Sequence, residues 1–202
     1  LFLDTLSLVE FWRLRLKQAA FSDSYYSSAR SAVDWLWQMT DPDTGDAPNL
    51  GANDGAMLLQ LAGAPYRDFR PSLQLAGILF LGERLYTHNS ANDILRWLDL
   101  LIEDYPISEK ERKSCLMREG GCVFFAGKSC WGVLRFPRFK FRPSHADLMH
   151  LEIMDHGISI IRDGGTFSYN TDEHVLDYFS GIESHNAVQF DDDEPMPRLG
   201  RF

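Results

Sequence analysis

Three residues in the second half of the chain, His145, Asp163 and His185, are of the types that form metal sites. They lie in the polar motifs PSHADL, IIRDGG and ESHNAV, each beside a sequence typical of a β-strand. Along the chain, each of these three residues is separated from the next by about the length of one hairpin. Neighbouring strands could therefore bring two imidazoles and a carboxylate together. Two nitrogens and one oxygen suit a zinc ion that keeps a fourth position for water or another ligand. The alternative is that the histidines are hydrogen-bonded at strand ends, with DGG as a simple turn.

A second candidate set lies in PNLGANDGAMLLQLAGAPYRDFRP, residues 48–71. Asn53 could hydrogen-bond a carboxylate without adding charge, and the charges of Arg67 and Arg70 would favour the phenolate of Tyr66. Such groups suit β-elimination from a uronic acid, in which one group neutralises the carboxylate, a second removes the C5 proton and a third protonates the leaving oxygen. The alternative is structural, with Asn53 as a helix cap and Arg67 in a surface ion pair with Asp68.

The first half of the sequence predicts a series of helical hairpins. Apolar residues recur at helical spacing over residues 1–40 and predict two helices, with Ser22 or Asp23 as the N-cap between them. Further helices are predicted over residues 54–62, 71–86 and 92–105.

After residues 106–114 the apolar period changes from 3.6 to 2. Short runs rich in Val, Ile and Phe are separated by Gly and Pro, which is typical of antiparallel strands, and MDHGIS predicts a hairpin turn. The sequence therefore predicts an α+β protein with helical hairpins over residues 1–112 and an antiparallel β-sandwich over residues 113–202. The predicted strands lie in GCVFFAG, WGVLRFPRF, ADLMHLEIMDHGISIIRDGG and HNAVQF.

Composition limits the classes of partner. The 202 residues are 45% hydrophobic and carry a net charge of −9, which indicates a folded chain and argues against nucleic acid. No apolar run is long enough for a membrane span. The three cysteines form no C-x-x-C pair, so neither a zinc ribbon nor a redox motif is indicated.

Basic residues are concentrated between Arg135 and Arg142 in RFPRFKFR. This run is a candidate wall for binding a polyanion, and the alternative is a solvated edge strand with protective charges. A start without Met and an end without a closing strand lead us to expect a fragment of a longer protein.

The second half contains three motifs whose order and spacing along the chain can be compared with those of known families. They are SHADLMHLEI, RDGGTFSYN and SHNAVQFDD. Over roughly residues 113–202 they resemble the C-terminal domain of the heparinase II/III family, which has His-x-His-Ala-Asp, then Asp-Pro-Gly-Thr, then His-Asn-Thr-Val. The helical half resembles the end of the (α/α) toroid that precedes this domain. NDGAMLLQLAGAPYRDF is also similar to a stretch of related lyases in which Asp-Gly precedes a catalytic Tyr.

This resemblance implies a polysaccharide lyase that cleaves an acidic, uronate-containing glycan by β-elimination, in the periplasm or cell envelope. It implies Asn53 at the carboxylate, Tyr66 as acid or acid/base, and His145 as base or zinc ligand. The expected cofactor is one zinc ion and the expected partner is an acidic polysaccharide. The implied zinc ligands are His145, Asp163 and His185, and the candidate substrate-binding residues are Arg67, Arg70, Arg138 and Arg142.

One position departs from the family pattern. Pro143 stands where the family has its first His, which contributes to catalysis in some members. Another base could therefore operate, or His145 could be released for that role. A third alternative is a non-catalytic carbohydrate-binding or cell-envelope polysaccharide assembly protein on the same fold.

Overall fold

The computed structural model describes residues 1–53, 55–87, 89–138 and 144–197, with the side chain of residue 89 not described. The chain divides into two compact units. The first comprises Leu1–Ala47 and Ala56–Glu111, and the second comprises Pro48–Gly55 and Arg112–Phe202. The second unit thus includes a short segment from the middle of the helical half, which the sequence division at residues 112 and 113 does not anticipate.

Helices form the first unit, as predicted. Ser22 caps α2, because its side-chain oxygen accepts the backbone N–H of Tyr25, and Pro71 lies in the first turn of α3. Buried apolar residues of α2 and α3, including Val33 and Leu73, form the core. The four helices are α1 (Phe2–Arg15), α2 (Asp23–Met39), α3 (Arg70–Leu81) and α4 (Asn89–Trp97), followed by a 3-10 turn over Ile102–Asp104.

The helix predicted over residues 54–62 is wrong for its described part, residues 55–62, which form no helix. The side chain of Asn53 accepts the backbone N–H of Gly55 at 3.0 Å, so Asn53 closes a local turn and does not cap a helix. The other two predicted helices end early, since α3 stops at Leu81 before Gly82 in the left-handed conformation and α4 stops at Trp97.

The second unit contains one five-stranded antiparallel sheet with strands in sequence order. The predicted hairpin turn is confirmed between β4 and β5, where His156 and Gly157 both have positive φ. The α+β class is therefore confirmed, and the described residues supply one antiparallel sheet of the predicted sandwich. The strands are β1 (Cys115–Met117), β2 (Cys122–Ala126), β3 (Cys130–Arg135), β4 (Leu151–Asp155) and β5 (Ile158–Ile161).

Two segments of the second unit differ from the prediction. The HNAVQF segment forms no strand. The sequence did not predict a helix that follows the sheet, α5 (Glu173–Ser180), and a 3-10 turn over Ile182–Ser184 comes after it.

In β4 the residues alternate, so that Glu152 and Met154 are buried, which places a carboxylate inside the unit. Among the described residues, no helix is both long and apolar enough to cross a membrane.

Candidate functional site

His145, Asp163 and His185 meet in the interior of the second unit. His145 lies in the connection from β3 to β4, Asp163 follows β5, and His185 follows the 3-10 turn over Ile182–Ser184. One potential ligand atom from each residue lies within 4.8 Å of the others, and all three side chains are buried. We call these three residues the buried cluster.

Asp163 is held by its own turn and by a histidine. Its Oδ1 accepts the backbone N–H of Gly165 at 2.6 Å, and its Oδ2 lies 2.8 Å from His185 Nδ1. Burial by itself would raise the pKa of Asp163, but the hydrogen bonds from His185 and Gly165, together with the electrostatic influence of His185 and His150, outweigh burial and lower it. Asp163 is therefore a carboxylate that orients the ring of His185.

His145 is buried beside His185, with 5.3 Å between the ring centroids. Its Nε2 lies 3.3 Å from Thr166 Oγ1, and its Nδ1 has no hydrogen-bond partner among the described residues. Burial, together with the nearby His185, lowers the pKa of His145 to about 4. The imidazole is thus neutral near pH 7, which is the form that binds metal ions.

The donor types of the buried cluster fit a zinc ion. His145 Nδ1 and His185 Nε2 are both buried without a hydrogen-bond partner among the described residues, and a carboxylate oxygen of Asp163 lies within 4.8 Å of a nitrogen of each ring. A buried polar atom without a partner costs free energy, which coordination of a cation would recover. Neutral imidazole nitrogens and a carboxylate oxygen are usual ligands of zinc. The zinc ion itself remains a prediction.

Two further polar residues next to the cluster were missed by sequence reasoning. His150 is fully buried; its Nδ1 accepts the backbone N–H of Asn186 at 3.0 Å, and its ring lies 5.7 Å from that of His185. Glu152 Oε1 lies 3.6 Å from His150 Nε2. An acidic residue at an inward position of a strand is the signal that could have identified Glu152.

The Asn53 segment, which we define as residues 48–53, belongs to the second unit. The backbone N–H of Asn49 donates to Glu152 Oε1 at 2.9 Å, and that of Asn53 donates to Thr166 Oγ1 at 2.8 Å. The side-chain amide of Asn53 also donates to Asn49 Oδ1 at 3.3 Å. Within the second unit, the structure therefore brings the predicted Asn53 close to the buried cluster.

An ion pair between a partly exposed arginine and a buried aspartate lies next to the same segment. Arg135 Nε is 3.0 Å from Asp147 Oδ2, and a Cβ atom added at Gly51 would be 3.6 Å from the Arg135 guanidinium. Burial raises the pKa of Asp147, although the charge of Arg135 acts in the opposite direction. Arg135, the first residue of the basic run, therefore has an internal partner.

Tyr66 and Arg138 are two further predicted site residues that the structure describes. Tyr66 belongs to the first unit and its side chain is 42% exposed. Arg138 is exposed at the end of the described part of the basic run. Arg142 and Pro143 lie outside the described residues.

Arg70 does not fit its predicted substrate-binding role. It is buried and holds Asp68 through two hydrogen bonds of 2.8 and 2.7 Å, while its Nη1 donates to the backbone oxygen of Asp43. Arg67 binds Asp46 at 2.6 Å and also donates to the backbone oxygen of Ala47. The predicted surface pair of Arg67 with Asp68 is corrected accordingly, because Asp68 is paired with Arg70.

Comparisons with known proteins agree with this fold. The family model Heparinase II/III-like, C-terminal matches residues 132–202. A solved heparinase III with methylated lysines has a TM-score of 0.57 at 13% identity, and a mutant of a heparan sulfate lyase from Pedobacter heparinus has a TM-score of 0.52 at 16% identity. Each alignment covers 82% of this chain and 24% of the other chain. No curated protein gives a significant sequence match.

At these identities the two solved structures show the fold, and this chain spans about a quarter of their length. The family match begins within β3 and includes all three residues of the buried cluster. The predicted resemblance to the heparinase II/III family is therefore confirmed.

Proposed function

We propose that this chain is part of a polysaccharide lyase that cleaves an acidic, uronate-containing glycan by β-elimination. The observation that carries the proposal is the Asn53 segment, which is hydrogen-bonded to two side chains next to the buried cluster. One of the similar solved structures is described as a heparan sulfate lyase, which supports an acidic polysaccharide as the substrate class.

The reaction removes the C5 proton of the uronate, forms a C4–C5 double bond and breaks the bond from C4 to the leaving oxygen, which takes up a proton. The Asn53 carboxamide would hydrogen-bond the substrate carboxylate and so favour loss of the neighbouring proton. A neutral amide supplies only part of the stabilisation that the developing charge needs. Tyr66 would protonate the leaving oxygen, or act as both base and acid. Arg138, which is exposed, would contact the negative charges of the glycan.

We assign His145 to metal binding and not to proton abstraction. Its low pKa and burial make it a poor base, whereas the same properties keep it in the neutral form that a metal requires. His145, Asp163 and His185 would hold one zinc ion. When bound, the ion would supply a fixed positive charge that stabilises the loops carrying these residues.

The proposal is tested by incubating the full-length protein with a panel of uronate polysaccharides and following the ultraviolet absorbance of the unsaturated product. We expect product from at least one glycan, a strong loss of kcat in Tyr66→Phe, and a loss in Asn53→Ala. Tyr178→Phe and Asn170→Ala change exposed residues of the same types and should retain activity. The absence of product from every glycan would contradict the lyase assignment.

A non-catalytic carbohydrate-binding protein is the second candidate. It is favoured by the burial of His145, which removes one candidate base from reach of a substrate. The same assay separates the two functions, since a binding protein would retain the glycan on an affinity column and release no unsaturated product. Retention of the glycan without product would therefore favour this second function.

A further inference from the structure

The two hydrogen bonds that hold the Asn53 segment end on side chains that also contact the buried cluster. Glu152 Oε1 accepts the backbone N–H of Asn49 at 2.9 Å and that of Asp163 at 3.4 Å. Both Glu152 and Asp163 are buried, so the accepting carboxylate is largely shielded from water. A single carboxylate oxygen thus joins the segment to the backbone of one cluster residue.

Thr166 makes the second connection. Its Oγ1 accepts the backbone N–H of Asn53 at 2.8 Å and lies 3.3 Å from His145 Nε2. Thr166 is also buried. One hydroxyl group therefore lies between the residue proposed to bind the substrate carboxylate and a residue proposed to bind zinc.

The hydroxyl can respond to the tautomer of His145. If Nδ1 is to bind a metal, it must present a lone pair, so the ring proton resides on Nε2 and is donated to Thr166 Oγ1. Oγ1 then accepts from both Nε2 and the Asn53 N–H, which uses its two lone pairs. Partners of this kind, one step beyond the metal, orient the ligand ring and fix its tautomer.

Tight packing reinforces the connection. Gly165 lies between Asp163 and Thr166 with φ of +70°, and a Cβ atom added there would lie 2.0 Å from Asn49 Nδ2. The turn that orients Asp163 and the side chain of Asn49 are thus in direct contact. A shift of this turn would displace the segment.

We propose that Thr166 is a positioning residue that couples metal binding at the buried cluster to the placement of Asn53. This inference rests on the metal site of the proposed function. Zinc bound at the cluster fixes His145, His145 fixes the Thr166 hydroxyl, and the hydroxyl fixes the backbone of Asn53. Glu152 provides the parallel connection through Asp163.

The test measures zinc affinity by competition with a chelator in the full chain, independently of any activity. Thr166→Val removes the hydroxyl with little change in shape and should weaken zinc binding by about tenfold or more. Thr166→Ser keeps the hydroxyl and should bind zinc nearly as tightly as the wild type. Thr87→Val, at an exposed threonine of the first unit, is the matched control.

A second readout is hydrogen exchange of the Asn49 and Asn53 amides. Zinc should slow exchange at both positions in the wild type and in Thr166→Ser, and should have much less effect on Asn53 in Thr166→Val. Normal zinc affinity in Thr166→Val, or exchange that zinc leaves unchanged, would overturn the coupling while the metal site stands. A wild type that binds no zinc would overturn both.

Discussion

His185 Nδ1 lies 2.8 Å from Asp163 Oδ2, and both side chains are fully buried. This bond occupies one nitrogen of His185 and leaves the other, Nε2, buried without a hydrogen-bond partner among the described residues, so Nε2 is the nitrogen that could bind a metal ion. A carboxylate that orients a histidine in this way is common next to protein-bound metals. The bond therefore sets the orientation of the His185 ring within the buried cluster.

The stability of the metal-free protein should depend on pH through His145. Its pKa is lowered from 6.5 to about 4 in the folded protein, mainly by burial and also by His185 and Arg135, while the nearby Asp163 carboxylate acts in the opposite direction. Between these two values the unfolded chain binds a proton that the folded chain does not. The contribution of His145 to the free energy of unfolding should therefore be fully present above about pH 6.5. It should be lost as the pH falls toward 4, at a cost of at most about 3 kcal/mol.

Urea unfolding of chelator-treated protein at pH 7 and pH 5 measures this effect. Asp163 does not contribute in this window, because its lowered pKa affects stability only below its ordinary value of 3.8. In His145→Gln the difference between the two pH values should shrink. An equal difference in the variant and the wild type would show that other groups are responsible.

Replacing Glu152 should release the Asn53 segment. Glu152→Ala removes the acceptor for the backbone N–H groups of Asn49 and Asp163, and the two unsatisfied groups should cost about 2–4 kcal/mol of unfolding free energy. Glu152→Gln keeps a side-chain oxygen as acceptor, so its free energy of unfolding should fall much less. Urea unfolding together with exchange at the Asn49 amide gives the result, and equal stability of the Ala and Gln variants would be inconsistent with this role.

A side chain at residue 165 should also displace the segment. Gly165→Ala places a methyl group where Asn49 Nδ2 lies, at a φ of +70° that favours glycine, and should cost about 1–2 kcal/mol for the backbone alone. Gly63→Ala is the matched control, because nothing lies within 4 Å of the added Cβ. Faster exchange at the Asn53 amide is expected only in Gly165→Ala. If both variants keep the exchange rate of the wild type, the contact is unimportant.

The sequence allowed the buried cluster to be anticipated but not its connections. His145, Asp163 and His185 are recognisable because their residue types suit a metal and each follows or precedes a strand-like run. The bond from Asn53 to Thr166 spans 113 positions of the chain and leaves no periodic signal. Such long-range contacts depend on how the whole unit packs.

The absence of the predicted helix over its described part, residues 55–62, has a related cause. An apolar run with an Asn before it is typical of a capped helix, and local pattern alone favours that interpretation. In the structure, Gly55 has a φ of +76°, outside the right-handed helical region, so the bond from Gly55 to the Asn53 side chain closes a turn and starts no helix. The antiparallel strands were more predictable, because alternation and the turn at Gly157 are local signals.

The buried Arg70 and the exposed Arg138 should respond differently to substitution. Arg70→Ala breaks a buried pair with Asp68 and should lower the unfolding free energy by about 3–5 kcal/mol. Arg138→Ala changes an exposed residue and should weaken binding to an acidic glycan, more so at low salt, without a change in stability. Unfolding curves and glycan affinity measured for both variants check this contrast. Loss of stability in Arg138→Ala with none in Arg70→Ala would contradict the structural role of Arg70 and the binding role of Arg138.

The most direct measurement is the zinc content of the purified full-length protein by elemental analysis, compared with His185→Ala. We predict about one zinc ion per chain in the wild type, which three ligands and an open position can hold, and a strong loss in His185→Ala. His174→Ala, at an exposed histidine on α5, should retain the zinc of the wild type. Equal zinc in the wild type and His185→Ala, or none in either, would contradict a metal site at His145, Asp163 and His185.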